Sequence, residues 1–79
     1  MSEDAVANWE SIIHKNVRDS ARKAAGVVVA VEGGSLYVES AGGRAQARIP
    51  KSVVEGFNGA EVILNKRVSE LGSYKLPGP

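Results

Sequence analysis

The sequence predicts a small all-β domain, and three observations carry that expectation. Residues 27–31 read VVVAV, a run of β-branched side chains that suits a pleated, half-buried surface. Ala45, Ala47 and Ile49 alternate with Arg44, Gln46 and Arg48, the period of two that puts one face of a strand inward. Glycine pairs at 33–34 and 42–43 punctuate these segments, and such pairs supply the positive φ angles of tight hairpins. Together they describe five to six short antiparallel strands, closed into a small barrel, with one or two short helical turns.

In chain order, residues 1–7 are small and acidic and are expected to fray as a tail. The domain is expected over 8–76, with a short Pro-Gly-Pro tail at 77–79. Trp9, Ile12 and Ile13 recur at helical spacing behind Asn8, a good N-cap. One turn cannot hold itself in water, so it must pack on something, and Trp9 is the expected plug for one barrel end. Residues 15–19 fit a first strand with Val17 inward, and 19–25 (DSARKAA) a loop or hairpin turn ahead of the valine run.

Residues 35–40 return with Leu36 and Val38 on one face and Tyr37 and Glu39 on the other. Pro50 ends the next strand by removing a ladder donor. Residues 51–57 are expected to form a tight helical turn that lowers Val53, Val54 or Phe57 onto the barrel mouth. Asn58-Gly59 signals a turn. Residues 60–65 then form a strand with Val62 and Leu64 inward and Ile63 outward, and 68–74 a helical turn or final strand.

Composition bounds the function. Seventy-nine residues make one domain, which buries only roughly 60% of its unfolded surface. The chain has no cysteine, so neither disulfides nor thiolate metal ligands reinforce it. Small scaffolds in that position gain stability by oligomerising, and a homodimer is the physical expectation. Ten basic and nine acidic residues leave a formal +1, far from the excess of a dedicated nucleic-acid binder. The longest apolar run, residues 24–31, is well short of the roughly 20 residues that span a bilayer. The acidic beginning of the sequence lacks an apolar signal core. A cytoplasmic protein with no direct membrane insertion is expected.

No catalytic constellation emerges. His14 is the sole histidine and has no second ligand near it in sequence. Glu32, Glu39, Glu55, Glu61 and Glu70 fall on separate elements, which suits solvated faces better than general acid–base work. The glycine pairs lack the lysine and following helix of a phosphate loop. The sequence therefore predicts no enzyme, no cofactor and no metal.

Binding remains. Tyr37 and Ile63 read as outward residues that could join Val28 and Ala30 in an apolar protein interface. The alternative is a basic strand face, Arg44, Arg48 and Lys51, in an RNA- or ribosome-associated barrel.

The order of these features resembles the PRC-barrel family. Its pattern opens on Trp9, Ile12, Ile13, Lys15 and Val17, continues through Gly26, Val27 and Val29, and closes on Ile49-Pro50 and Val54. The resemblance covers about residues 9–76. The chain departs from it at 20–25, where members carry an acidic Asp-Gly turn. It implies a non-catalytic docking or assembly module that dimerises through barrel edges. Members serve in the photosynthetic reaction centre, in a ribosome maturation factor and in archaeal cell division. The implied partners are therefore a second copy and another protein of an assembly, such as a cell-division component, with recruitment to a membrane-associated complex.

Overall fold

The computed structural model describes residues 6, 8–40, 43 and 45–76. Six strands form one mixed sheet: β1 (Asn16–Arg18), β2 (Ala24–Glu32), β3 (Ser35–Glu39), β4 (Gln46–Pro50), β5 (Val54–Phe57) and β6 (Glu61–Leu64). Their order across the sheet is β4-β3-β2-β1-β6-β5. Neighbours run antiparallel except β1 and β6, which pair in parallel through Asn16–Glu61, Val17–Val62 and Arg18–Ile63. An all-antiparallel sheet was the expectation. The parallel pair arises because the chain's first strand is inserted between β2 and the much later β6. Outermost in the ladder are β4 and β5, and among the described residues no ladder joins them.

The inner face follows the sequence pattern. Val17, Val28, Leu36, Ile49, Val62 and Leu64 are all fully buried. They share one cluster with Val38, Val53, Val54 and Leu71. Among the described residues no second sheet covers this face, so the single sheet must curl around its own side chains. The Trp9–Ile12 3-10 turn closes one side, with Asn8 accepting from the Glu10 N–H as its cap and Ile12 fully buried. Val6, expected in the frayed tail, is only 4% exposed and belongs to the core.

Two boundaries differ from expectation. The loop at 19–25 is shorter, because Ala24 and Ala25 already belong to β2. The turn after Pro50 covers only Lys51–Val53; Val54–Phe57 then extends as β5, pairing with β6. Val53 and Val54 are buried as expected, but by a turn and a strand in succession. After β6, a 3-10 helix (Val68–Tyr74) leads to Lys75, which bridges to Ala47. The Leu76 N–H donates to the Gln46 carbonyl at 2.9 Å, so the chain's end covers part of the β4 edge.

Asp19 ties the hairpin to that end. Its residue is 1% exposed. One carboxylate oxygen accepts the Ala21 and Lys23 N–H groups at 2.9 and 2.8 Å, and the other the Val68 N–H at 2.8 Å. Alongside, the Ser20 N–H donates to the Lys66 carbonyl at 3.0 Å. The Val68 hydrogen bond, against the opposing pull of burial, holds the Asp19 carboxyl below its ordinary 3.8, with help from Lys23 and Ala21. These bonds favour the ionised form, in which both oxygens accept and neither carries a competing proton.

Gly26 sets the closest backbone approach. It is buried at φ 139°, and a Cβ there would overlap the Glu39 carbonyl oxygen of β3. Only glycine combines that φ with that contact.

Two stability predictions follow from these contacts. Gly26→Ala should lower unfolding free energy by about 3 kcal/mol, a large share of a domain this size, and urea titration measures it. For Asp19, the folded carboxyl titrates below the unfolded one, so its stabilisation is complete above about pH 4 and is lost as pH falls through the folded value. Asp19→Asn should lower Tm at pH 7 and flatten the fall of Tm between pH 5 and pH 2. A variant with the wild-type acid slope would show that another group carries it.

Candidate interaction face

The outer face of β2–β4 is built by the same alternation that fills the core. Cross-strand pairs place Ala30, Tyr37 and Arg48 in one row, and Val27, Glu39 and Gln46 in the next. On the far side of Tyr37 lies the row Glu32, Ser35 and Pro50. Between Val28 and Ala30 the register shifts by a β-bulge. The extra residue, Val29, is 37% exposed and is one of two exposed large hydrophobic residues among those described, with Val68.

That bulge corrects one expected interface residue. Strict alternation through the valine run would put Val28 and Ala30 on one face. A bulge inserts one residue, so the positions on either side of it point to opposite faces. Val28 pairs with Val38 on the inner face of the sheet and is fully buried, while Ala30 pairs with the outward Tyr37. Val29 takes the outer place that the sequence assigned to Val28. Nothing in the sequence marks the bulge except the unusual length of the apolar run.

Ile63 is separated from this group. It is half-buried on β6, beside Arg18 of β1 and Gly56 of β5. Arg18 in turn pairs with Ala24 at the start of β2. Ala30 lies six steps along β2 from Ala24, about 20 Å at the rise of a strand. The outer face therefore holds two places, Tyr37 with Ala30 and Val29, and Ile63 apart. Beside Ile63, Arg18 Nε donates to Glu61 Oε2 at 2.8 Å and Arg18 Nη1 to the Arg22 carbonyl at 3.4 Å.

The expected basic face is also divided. Arg48 is exposed on β4. Lys51 instead lies over the Trp9 ring, with Nζ 4.9 Å from its centroid, an attraction worth about 0.5–1 kcal/mol at a half-exposed site. Arg44 lies outside the described residues. Glu39 and Glu32 flank Tyr37 along the strands, so the face around Arg48 carries both signs.

The other chemical candidates have structural roles or open surroundings. The Glu70 carboxylate accepts the Arg67 N–H at the start of its helix, and Glu61 pairs with Arg18. His14 is exposed, with a left-handed backbone at φ 74°, and its N–H donates to the Val28 carbonyl at 2.7 Å. Among the described residues no three His, Cys, Asp or Glu side chains gather where they could hold a metal ion. No described helix is long and apolar enough to cross a membrane. Comparison with protein-family models, with curated proteins and with solved structures gives no match to this chain.

Proposed function

We propose that this chain is a non-catalytic interaction module of PRC-barrel type that self-associates through the outer face of β2 and β3. The observation that carries the reading is the group of Val29, Ala30 and Tyr37, two of them forced side by side by the bulge. Arg48 stands on its β4 flank, and Glu32 and Glu39 at its two ends. A two-fold contact presents the same patch from both copies. Apolar centres then meet, and a patch with both signs on its rim can set Arg48 of one copy against a glutamate of the other.

Size supports the same reading. A 79-residue chain without disulfides gains most from burying further apolar area in a partner. The family resemblance gains support from the parts its motif residues play. Gly26 occupies a position only glycine fills, Pro50 closes β4 before the Lys51–Val53 turn, and Trp9 rests on the core. By that resemblance the module acts in the cytoplasm, docking a further protein of an assembly such as the archaeal division machinery. The RNA-binding alternative needs a continuous basic stripe; Arg48 is the one member of the expected trio on the described outer face.

Sedimentation of the purified chain at 5–200 micromolar tests this reading, a span chosen around the roughly micromolar affinity of modest interfaces. The wild type should form a dimer. Tyr37→Lys and Val29→Lys should each be monomeric with unchanged circular dichroism, whereas Ile63→Lys should remain dimeric. A monomeric wild type, or a dimer that survives both β2–β3 substitutions, overturns the proposed face. Tight binding of single-stranded RNA that collapses between 50 and 200 millimolar salt would favour the basic alternative.

A further inference from the structure

The inner face of the sheet is not filled everywhere. Beside the Val68–Tyr74 helix, the wall positions on β2, and on and just before β4, are alanines: Ala25, Ala45 and Ala47. Val38, Ile49, Val68 and Leu71 complete an apolar cavity of about 160 Å³ that opens to solvent. The volume matches one aromatic ring, since a dry apolar cavity of roughly 150 Å³ takes up benzene.

The mouth is polar and cationic. Ser40, Gln46 and Lys75 also line the cavity, and Gln46 and Lys75 are exposed. The Lys75 backbone is held there by the bridge to Ala47 and by its N–H to the Gly72 carbonyl at 3.2 Å. The one salt bridge among the described residues is Arg18–Glu61, so no described carboxylate neutralises Lys75. Ser40 Oγ accepts the Ala45 N–H at 3.2 Å, which leaves its hydroxyl proton to donate outward. An apolar pocket of one-ring size, lined also by a lysine held through its backbone and by a serine hydroxyl, is complementary to an amphipathic acid.

We propose that this cavity binds a small monocarboxylate with a single-ring or branched aliphatic body. The body fills the space left by the three alanines, and the carboxylate meets the Lys75 ammonium and the Ser40 hydroxyl. This site lies on the inner side of the sheet, so it is independent of the association face and can be tested on a monomer or a dimer.

The test is a titration of the isotope-labelled full chain with phenylacetate, followed by amide chemical shifts, with toluene as the neutral probe. Phenylacetate should give saturable shifts at Ala25, Val38, Ala47 and Leu71, with a dissociation constant of about 1 millimolar or below. Lys75→Met should weaken it about tenfold, and salt should weaken it in the wild type. Ala47→Leu should abolish binding by filling the space. Ala25→Val provides the same block from β2 should the β4 variant fold poorly. Absence of saturable shifts, equal binding of toluene, or a Lys75→Met variant of wild-type affinity overturns the proposal.

Discussion

The carboxylate of Asp19 is the point at which the beginning and the end of this chain are joined. A single-layer sheet has no second layer to hold its strands in order, so the order must come from a few non-local contacts. β1 is the decisive strand, because it is only three residues long yet pairs with β2 on one side and β6 on the other. Asp19 follows it directly. By accepting two N–H groups of its own turn and the Val68 N–H beyond β6, it fixes the entry to β2 and the exit from β6 together. Without that bond the Val68–Tyr74 helix would be tied to β1 only through neighbouring backbone contacts. The lowered carboxyl pKa is the electrostatic expression of the same geometry.

Local periodicity was legible in the sequence because one face of the sheet meets water and the other is largely buried. Leu36 and Val38 on β3, Ile49 on β4 and Val62 and Leu64 on β6 lie where alternation places them. What alternation cannot show is where it is interrupted. The bulge at Val29 reverses the facing of every residue before it relative to those after it, which is why Val28 is in the core and Ala30 outside it. Non-local pairing was equally hidden. Nothing in residues 16–18 announces that they will pair in parallel with residues 61–63, because the preference belongs to the assembled sheet. Asp19 was hidden for a different reason: its motif is one acid before a basic turn. The turn-forming habit of aspartate, which bonds backbone N–H groups two residues on, was the available clue.

The short 3-10 segments perform the work that longer helices perform in larger domains. Trp9–Ile12 supplies Ile12 to the core and places Trp9 beneath Lys51. Lys51–Val53 turns the chain between β4 and β5 and inserts Val53. Val68–Tyr74 contributes Leu71 and leads the chain back to β4. Each is too short to be stable alone, so each exists only because its apolar side chain is buried by the sheet. That dependence makes the fold cooperative despite its single layer, and it leaves the chain's apolar inventory almost fully committed to the interior.

Against that commitment, the apolar residues left outside carry more weight than they would in a larger protein. The bulge holds Val29 outside, beside Ala30 and Tyr37. The surrounding charges argue about the kind of partner. A surface meant for a polyanion gathers one sign and keeps the other away. Here Arg48 shares its face with Glu32 and Glu39, Arg18 is paired with Glu61, and Lys51 is turned to an aromatic ring. Such alternation would repel and attract a phosphate backbone in equal measure along the strand. Two copies of the same mixed-sign surface, rotated onto each other, can instead satisfy both signs at once. The mixed-sign charge pattern around Tyr37 is thus the physical ground on which the proposed self-association rests.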